Sequence, residues 1–259
     1  AMNNERMDAM QKLDYKRFYA EAIAQGKVRY PGFSFHDDAK AFLRILHDWD
    51  QWGMCQVQMN ILDDENQATL EGIREAGRRG VGVVVMEPLR GGLLANPPVD
   101  VKAVYDAYAV QRSPVEWGFR YLYAMPEVIT ILSGMSTWAQ VTDNLRIFDM
   151  AKRPTLTDEE LALYQKVKAT YLARTKTRCT GCKYCQPCPM GVQIPRIFQG
   201  YDAAMLRADS SFKAGYAQIQ ADHADASQCI HCRKCERACP QHLPITRFLE
   251  EIHSASAAE

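Results

Sequence analysis

Eight of the nine cysteines fall into two short runs. The first is Cys179, Cys182, Cys185 and Cys188, followed by Pro189; the second is Cys229, Cys232, Cys235 and Cys239, followed by Pro240. A gap of two residues lets a tight turn aim successive thiolates at one centre, so each triplet suits three adjacent corners of a metal cluster. The fourth cysteine of each run lies beyond a geometric break. Mononuclear zinc takes four ligands, usually as two pairs, and has no use for a third evenly spaced cysteine followed by a later Cys-Pro. Dense disulfides belong to small secreted scaffolds. The spacing points to iron–sulfur chemistry.

The second run matches the C-x2-C-x2-C-x3-C-P pattern of bacterial ferredoxins, and the first is shorter by one residue between its last two cysteines. In two-cluster ferredoxins the fourth cysteine ligates the other cluster. That resemblance implies one 4Fe–4S cluster on Cys179, Cys182, Cys185 and Cys239, and a second on Cys229, Cys232, Cys235 and Cys188. Cluster thiolates need a reducing, iron-supplied compartment, so the expected location is the cytoplasm.

The elements that must position these residues follow from periodicity. With 259 residues the chain is long enough for two cores. Lys+Arg and Asp+Glu both number 31, a net charge of zero, so no basic field draws nucleic acid or an anionic membrane. The most apolar run, residues 81–86, is far too short to span a bilayer. An amphipathic pattern over 5–25 (Met7, Met10, Leu13, Phe18, Ala22), stopped by Gly26, predicts one helix. Strands are expected over 28–35, 54–59, 81–86 and 128–132, and helices over 39–47, 66–79, 101–110, 115–123 and 137–150. Alternation without a hairpin signal predicts parallel βα units.

Function in such units gathers at the carboxyl ends of strands. Here those ends are Ser34 to His36, Asn60, Glu87 to Gly92 and Ser133 to Thr137. The last two precede helices and are rich in glycine and hydroxyls, a setting that can receive phosphate. His36 is expected to cap the helix that follows, Cys55 to be a buried strand residue, and Trp117, Phe119 and Tyr121 to be helix core. Further on, Thr157 and Glu160 form a capping-box pattern for a helix through Tyr171, and 174–178 is a basic linker. Helices are expected over 194–205, 212–219 and 246–252, with no β-rich segment and a small-residue tail over 254–259. Arg233, Lys234 and Arg237 are either ordinary exposed side chains or a steering field for an acidic electron carrier.

The first half also resembles a known family. Gly26-Lys-Val-Arg29 leading into Gly32-Phe-Ser-Phe-His36 resembles the fifth strand of aldo/keto reductases, and Cys55-Gln-Val-Gln-Met-Asn60 the sixth. Val83-Val-Val-Met-Glu-Pro-Leu-Arg-Gly-Gly92 is similar to the seventh, and Ile131-Leu-Ser-Gly-Met-Ser136 with Gln140 and Asn144 to the eighth. One branch of that family carries a C-terminal iron–sulfur extension. The resemblance implies an α/β fold, the second half of a TIM (β/α)8 barrel, followed by an all-α ferredoxin-like domain. It implies NAD or NADP bound by Ser34 and Gln56 at the carboxamide, by Pro88, Leu89 and Gly91 along the pyrophosphate, and by Gly134, Ser136, Gln140 and Asn144 at the adenosine phosphate. Phe35 stands where the family usually has asparagine, Met86 where an aromatic stacks, and Gly134 and Gln140 where NADP users often carry Lys and Arg.

The family's catalytic Asp, Tyr, Lys and His belong to the first four strands, and this sequence starts where the fourth would have ended. No catalytic residue is therefore assigned. The implied half-barrel would have open edges, which a second copy or an N-terminal segment is expected to complete. The implied organisation is a partial barrel over 1–155, a helix and linker over 156–178, a two-cluster domain over 179–253 and a tail. The implied function is an iron–sulfur oxidoreductase linked to NAD or NADP and acting with a redox partner or a small carbonyl substrate. The alternatives are a non-catalytic ferredoxin-like carrier or scaffold, and a zinc-stabilised interaction module.

Overall fold

The computed structural model describes residues 1–149, 153–179, 181–239 and 241–257. The chain divides into two compact units, Ala1–Pro97 with Val104–Lys166, and Pro98–Ala103 with Val167–Glu259. Among the described residues no helix is long and apolar enough to cross a membrane.

In the first unit α1 (Asn4–Lys12) and α2 (Tyr15–Ala24) precede β1 (Gly32–Ser34), α3 (Ala39–Asp48), β2 (Met54–Gln58), α4 (Thr69–Arg78) and β3 (Gly82–Met86). A 3-10 turn (Arg90–Ala95), α6 (Pro114–Tyr123), β4 (Val128–Ile131) and α7 (Trp138–Phe148) follow, while α5 (Val99–Asp106) and α8 (Asp158–Arg174) each contribute residues to both units. The four strands form one parallel sheet in the order β1-β2-β3-β4, so sequence neighbours are sheet neighbours. Burial explains the pattern. β2 alternates, with Cys55 and Val57 buried, whereas β3 buries Val83, Val84 and Val85 in succession, as a strand covered on both faces must. Helix α3 buries Ala41, Phe42, Ile45 and Leu46 at helical spacing. At the α3–α4 contact Gly72 is needed for space, since a Cβ there would come 2.8 Å from the Phe42 ring.

Several boundaries differ from the periodic reading, each for a local reason. The single helix expected over 5–25 breaks at Asp14, which takes a left-handed conformation (φ 51°). The break turns Tyr15 inward, where it stacks on Trp52 and donates to Asp48, and it leaves Leu13 and Phe18 exposed. Strand β1 begins only after Pro31, whose missing N–H cannot join a ladder. Helix α4 starts three residues late because Gln67 and Thr69 adopt positive φ in consecutive turns. Helix α5 ends at Asp106, where Gln111 takes the Asp106 and Tyr108 carbonyls. The α7 prediction reached Met150, which lies outside the described residues. Helix α3 is capped by Asp38, which accepts from the Ala41 N–H, and not by His36.

The second unit contains α9 (Ile194–Arg207), α10 (Ser211–Ala221), a 3-10 turn (Ala226–Gln228), α11 (Lys234–Ala238) and α12 (Ile245–Ala257), with no strand among its described residues. Ile197, Phe198, Phe212, Tyr216, Leu249 and Ile252 build its core. Helix α11 and the 3-10 turn are too short for periodicity to reveal. Helix α12 continues to Ala257 where a loose tail was expected from 254. Ser256 bonds back to the Ile252 carbonyl, and the alanines of this stretch favour helix.

In the first unit Glu160 is buried beneath two arginines. Burial raises its pKa, but two 3.0 Å bonds from Arg120, the Thr157 N–H and Arg112 at 3.3 Å outweigh it and hold the carboxyl below its ordinary value. A depressed folded pKa contributes stability above the unfolded pKa and loses it as pH falls through the folded value. Glu160→Gln should cost about 3 kcal/mol at neutral pH. In denaturant titrations between about pH 5 and pH 3 the variant should also lose stability less steeply than the parent. Parallel pH profiles would refute this.

Candidate functional site

The cysteine loops repeat one backbone design. Between the cysteines φ turns positive at matching places, at Gly181 (71°) and Lys183 (65°) in the first run and at His231 (54°) and Arg233 (55°) in the second. It turns positive again three residues after the fourth cysteine, at Gly191 (73°) and His242 (50°). Their N–H groups return to the carbonyls of Cys188 (3.0 Å) and Cys239 (3.1 Å). Each run then starts a helix with an isoleucine, Ile194 of α9 or Ile245 of α12. Such reversals of φ bring successive amides to one side of the chain and form a concavity for negative charge. The Gly181 N–H faces the Cys179 sulfur and the His231 N–H faces that of Cys229. Holding a non-glycine residue in this conformation costs about 1–2 kcal/mol, the kind of strain that accumulates at functional sites.

The thiols sort into two clefts. Cys179, Cys182, Cys185 and Cys239 line one of about 20 Å³, backed by Ile194 and Phe198. Cys188, Cys229, Cys232 and Cys235 line another of about 170 Å³, which Cys185 also borders. Electrostatic coupling divides the same way. Cys179 and Cys185 interact with Cys182 and Cys239, and Cys229 with Cys188 and Cys232. Among the described residues no three His, Cys, Asp or Glu side chains converge closely enough to hold a single metal ion; the thiols ring a space. Burial pushes Cys185 and Cys235 up to about 11, so they keep their protons at neutral pH unless a metal replaces them. Cys55 stands apart, buried in β2 and pushed up to about 12.

Two polar anchors hold these loops. Gln186 accepts from the Cys188 N–H and donates to the Val192 carbonyl, bracing the short gap of the first run. Asp202, buried on α9, accepts from the backbone N–H groups of Lys176, Thr177 and Arg178 and from the Thr177 hydroxyl. Neither was anticipated. For Asp202 a signal existed, since it lies four residues after Phe198 on the apolar face of its helix.

In the first unit the loops after β3 and β4 enclose a cavity of about 690 Å³. Of the residues the sequence nominated, Pro88, Leu89, Gly91, Gly134, Gln140 and Asn144 line it. Gly91 and Gly92 have positive φ (62° and 93°), with nothing within 4 Å of a notional Cβ. Thr137 and Gln140 form a capping box at α7, and Gln140 Oε1 accepts from the N–H groups of Ser136 (2.8 Å) and Thr137 (3.1 Å). Ser136 does not itself line the cavity but bonds Gln140, which does, and Asn144 bonds Ser133 (2.9 Å). Ser34 and Gln56 are not brought to this cavity. They pair across β1 and β2, where Gln56 meets Met86 Sδ at 3.4 Å and Ser34 borders a separate cleft.

A polar chain crosses the carboxyl ends of β1 to β3. His36 bonds Gln67 (3.1 Å), Gln67 bonds Gln58 (2.7 Å), and Gln58 reaches Asp63 (3.0 Å). Buried Asn60 and Asp63 then fasten the cavity loop, Asn60 through the Glu87 carbonyl and Asp63 through Arg90 at 3.3 Å. Residues 12–169 match the model of the aldo/keto reductase family. The chain belongs to that family. A 4Fe-4S dicluster domain follows over residues 178–243 of this aldo/keto reductase.

Among solved structures, the holo form of aldo-keto reductase AKR11C1 from Bacillus halodurans is similar at 26% identity and a TM-score of 0.47, over 57% of this chain and 53% of that one. The thermostable aldo-keto reductase Tm1743, in complex with the inhibitor epalrestat, is similar at 23% identity and a TM-score of 0.46, over 57% and 52%. This aldo/keto reductase chain thus spans about half the length of those proteins. No curated protein matches it.

Asp202→Ala should lower the unfolding free energy by about 3 kcal/mol, because it strands several buried donors at once. A loss within about 0.5 kcal/mol in denaturant titration would show that the anchor is dispensable.

Proposed function

We propose that the chain acts as an oxidoreductase joining nicotinamide-linked chemistry in the first unit to single-electron transfer through two 4Fe–4S clusters in the second. The observation that carries this reading is the crossed sorting of the eight cysteines into two clefts. Cys179, Cys182, Cys185 and Cys239 would hold one cluster, and Cys229, Cys232, Cys235 and Cys188 the other. Bound clusters would supply reversible one-electron storage. The chain's own residues give the thiolates a converging frame and amides aimed at sulfur, with Cys239 buried and Cys182 and Cys232 open to solvent. Such thiolate chemistry favours a reducing compartment, the cytoplasm.

The cavity of the first unit is the nicotinamide site in this reading. Pro88 to Gly92 would lie along the pyrophosphate, and Gln140 and Asn144 at the adenosine end. Its charged lining is acidic, Glu87 and Asp143, with no lysine or arginine among the described lining residues. That favours NAD, because a carboxylate accepts from ribose hydroxyls whereas a 2′-phosphate needs a cation. The parallel βα series would be the second half of a (β/α)8 barrel, completed by a second copy or by an N-terminal segment. Exposed Ile129, Leu132 and Trp138 at β4 and α7 support a covered edge there. The second unit is read as an all-α ferredoxin-type module, and the external reactant as a redox partner or a small carbonyl. A second reading, a carrier whose first unit only docks, is favoured by the position of Ser34 and Gln56 outside the cavity.

Anaerobically purified protein should be brown and contain about eight irons and eight sulfides per chain; zinc without labile sulfide would sink the cluster reading. In a fluorescence titration NADH should bind more tightly than NADPH. Gln140→Arg should shift that ratio toward NADPH by about tenfold. No binding of either nucleotide would leave the carrier reading ahead.

A further inference from the structure

We propose that the rim of the Cys188–Cys229–Cys232–Cys235 cleft is the docking surface for an acidic one-electron carrier protein. The inference rests on the cluster reading above. Three large apolar side chains stand in solvent at the mouth of this cleft, with Tyr184 69%, Ile230 60% and Met190 41% exposed. Single exposed apolar residues need no explanation, but a group of them at one site marks an interaction surface. Arg233 and Lys234 share the rim and are exposed, and Arg237 follows on α11.

Two carboxylates, Glu236 and Glu250, lie near the three cations, and Glu236 is tied to the protein. Glu236 accepts from the Thr246 N–H (2.9 Å) and hydroxyl (2.7 Å) while lying 3.9 Å from Arg233, and Glu250 faces His231 at 3.5 Å. The rim therefore presents an apolar centre edged by positive charge. That anatomy suits a transient complex, in which cations steer an acidic partner and a small apolar patch seats it. Among the described lining residues of the Cys179 cleft no large apolar side chain is exposed, and Phe198 and Ile245 are buried. With a cluster held by Cys188, Cys229, Cys232 and Cys235, one electron would pass between it and the carrier's centre in each encounter. One side is oxidised as the other is reduced, and no bond is made or broken.

The test uses the full chain with its clusters loaded and a plant-type 2Fe–2S ferredoxin as the acidic probe. Binding is read by fluorescence anisotropy of labelled ferredoxin at about 20 mM and about 300 mM salt. Lys234→Glu should weaken binding at low salt by about tenfold or more and flatten the salt dependence. Ile230→Ala should weaken it at both salt levels. Lys213→Glu, the same charge change at an exposed position of α10, should leave it unaltered. Equal effects of Lys234→Glu and Lys213→Glu, or no binding by fully loaded protein, would overturn the docking inference alone. Iron and sulfide assays on the same samples keep the two proposals apart, because a chain without clusters defeats the underlying reading. Sedimentation supplies the remaining outcome: a dimer that Ile230→Ala converts to monomer would assign the surface to a second copy and overturn the carrier.

Discussion

The second unit depends on one constraint, that the fourth cysteine of each run stands with the triplet of the other. Cys188 lies at the cleft of Cys229, Cys232 and Cys235, and Cys239 at that of Cys179, Cys182 and Cys185. Neither cleft can close unless both loops are in place, so two segments about forty residues apart must fold together. The matched positive-φ residues let both loops curl in the same sense. Helices α9 and α12 then leave from equivalent points and pack their apolar faces into the core that backs the thiols.

Strain and support are distributed unevenly over the two loops. The first uses glycine at 181 and 191, where the second uses His231 and His242 at the same backbone angles. The first loop is tied by Gln186 and by the four donor groups that converge on Asp202. The second borders the larger cleft, about 170 Å³ against about 20 Å³.

In the first unit the corresponding support is polar and buried. Asn60 and Asp63 sit just beyond β2, yet their bonds end on Glu87 and Arg90 in the next loop, which lines the cavity. One strand end thereby shapes the cavity loop of its neighbour, which is how a parallel sheet positions residues distant in sequence.

The sequence by itself determined the cysteine chemistry, the order of βα steps and the glycine-rich loops, because each is written in local spacing or period. Six of the nominated cavity residues, among them Gly91 and Gln140, come together for that reason. Other features belong to the tertiary structure alone. Asp14 breaks a helix because Tyr15 finds Trp52 and Asp48. Ser34 and Gln56 face each other across two strands and not the cavity. Asp202 caps a loop some twenty-five residues upstream. In each case the deciding partner is distant in the chain, and only packing and hydrogen-bond satisfaction in the folded molecule choose it.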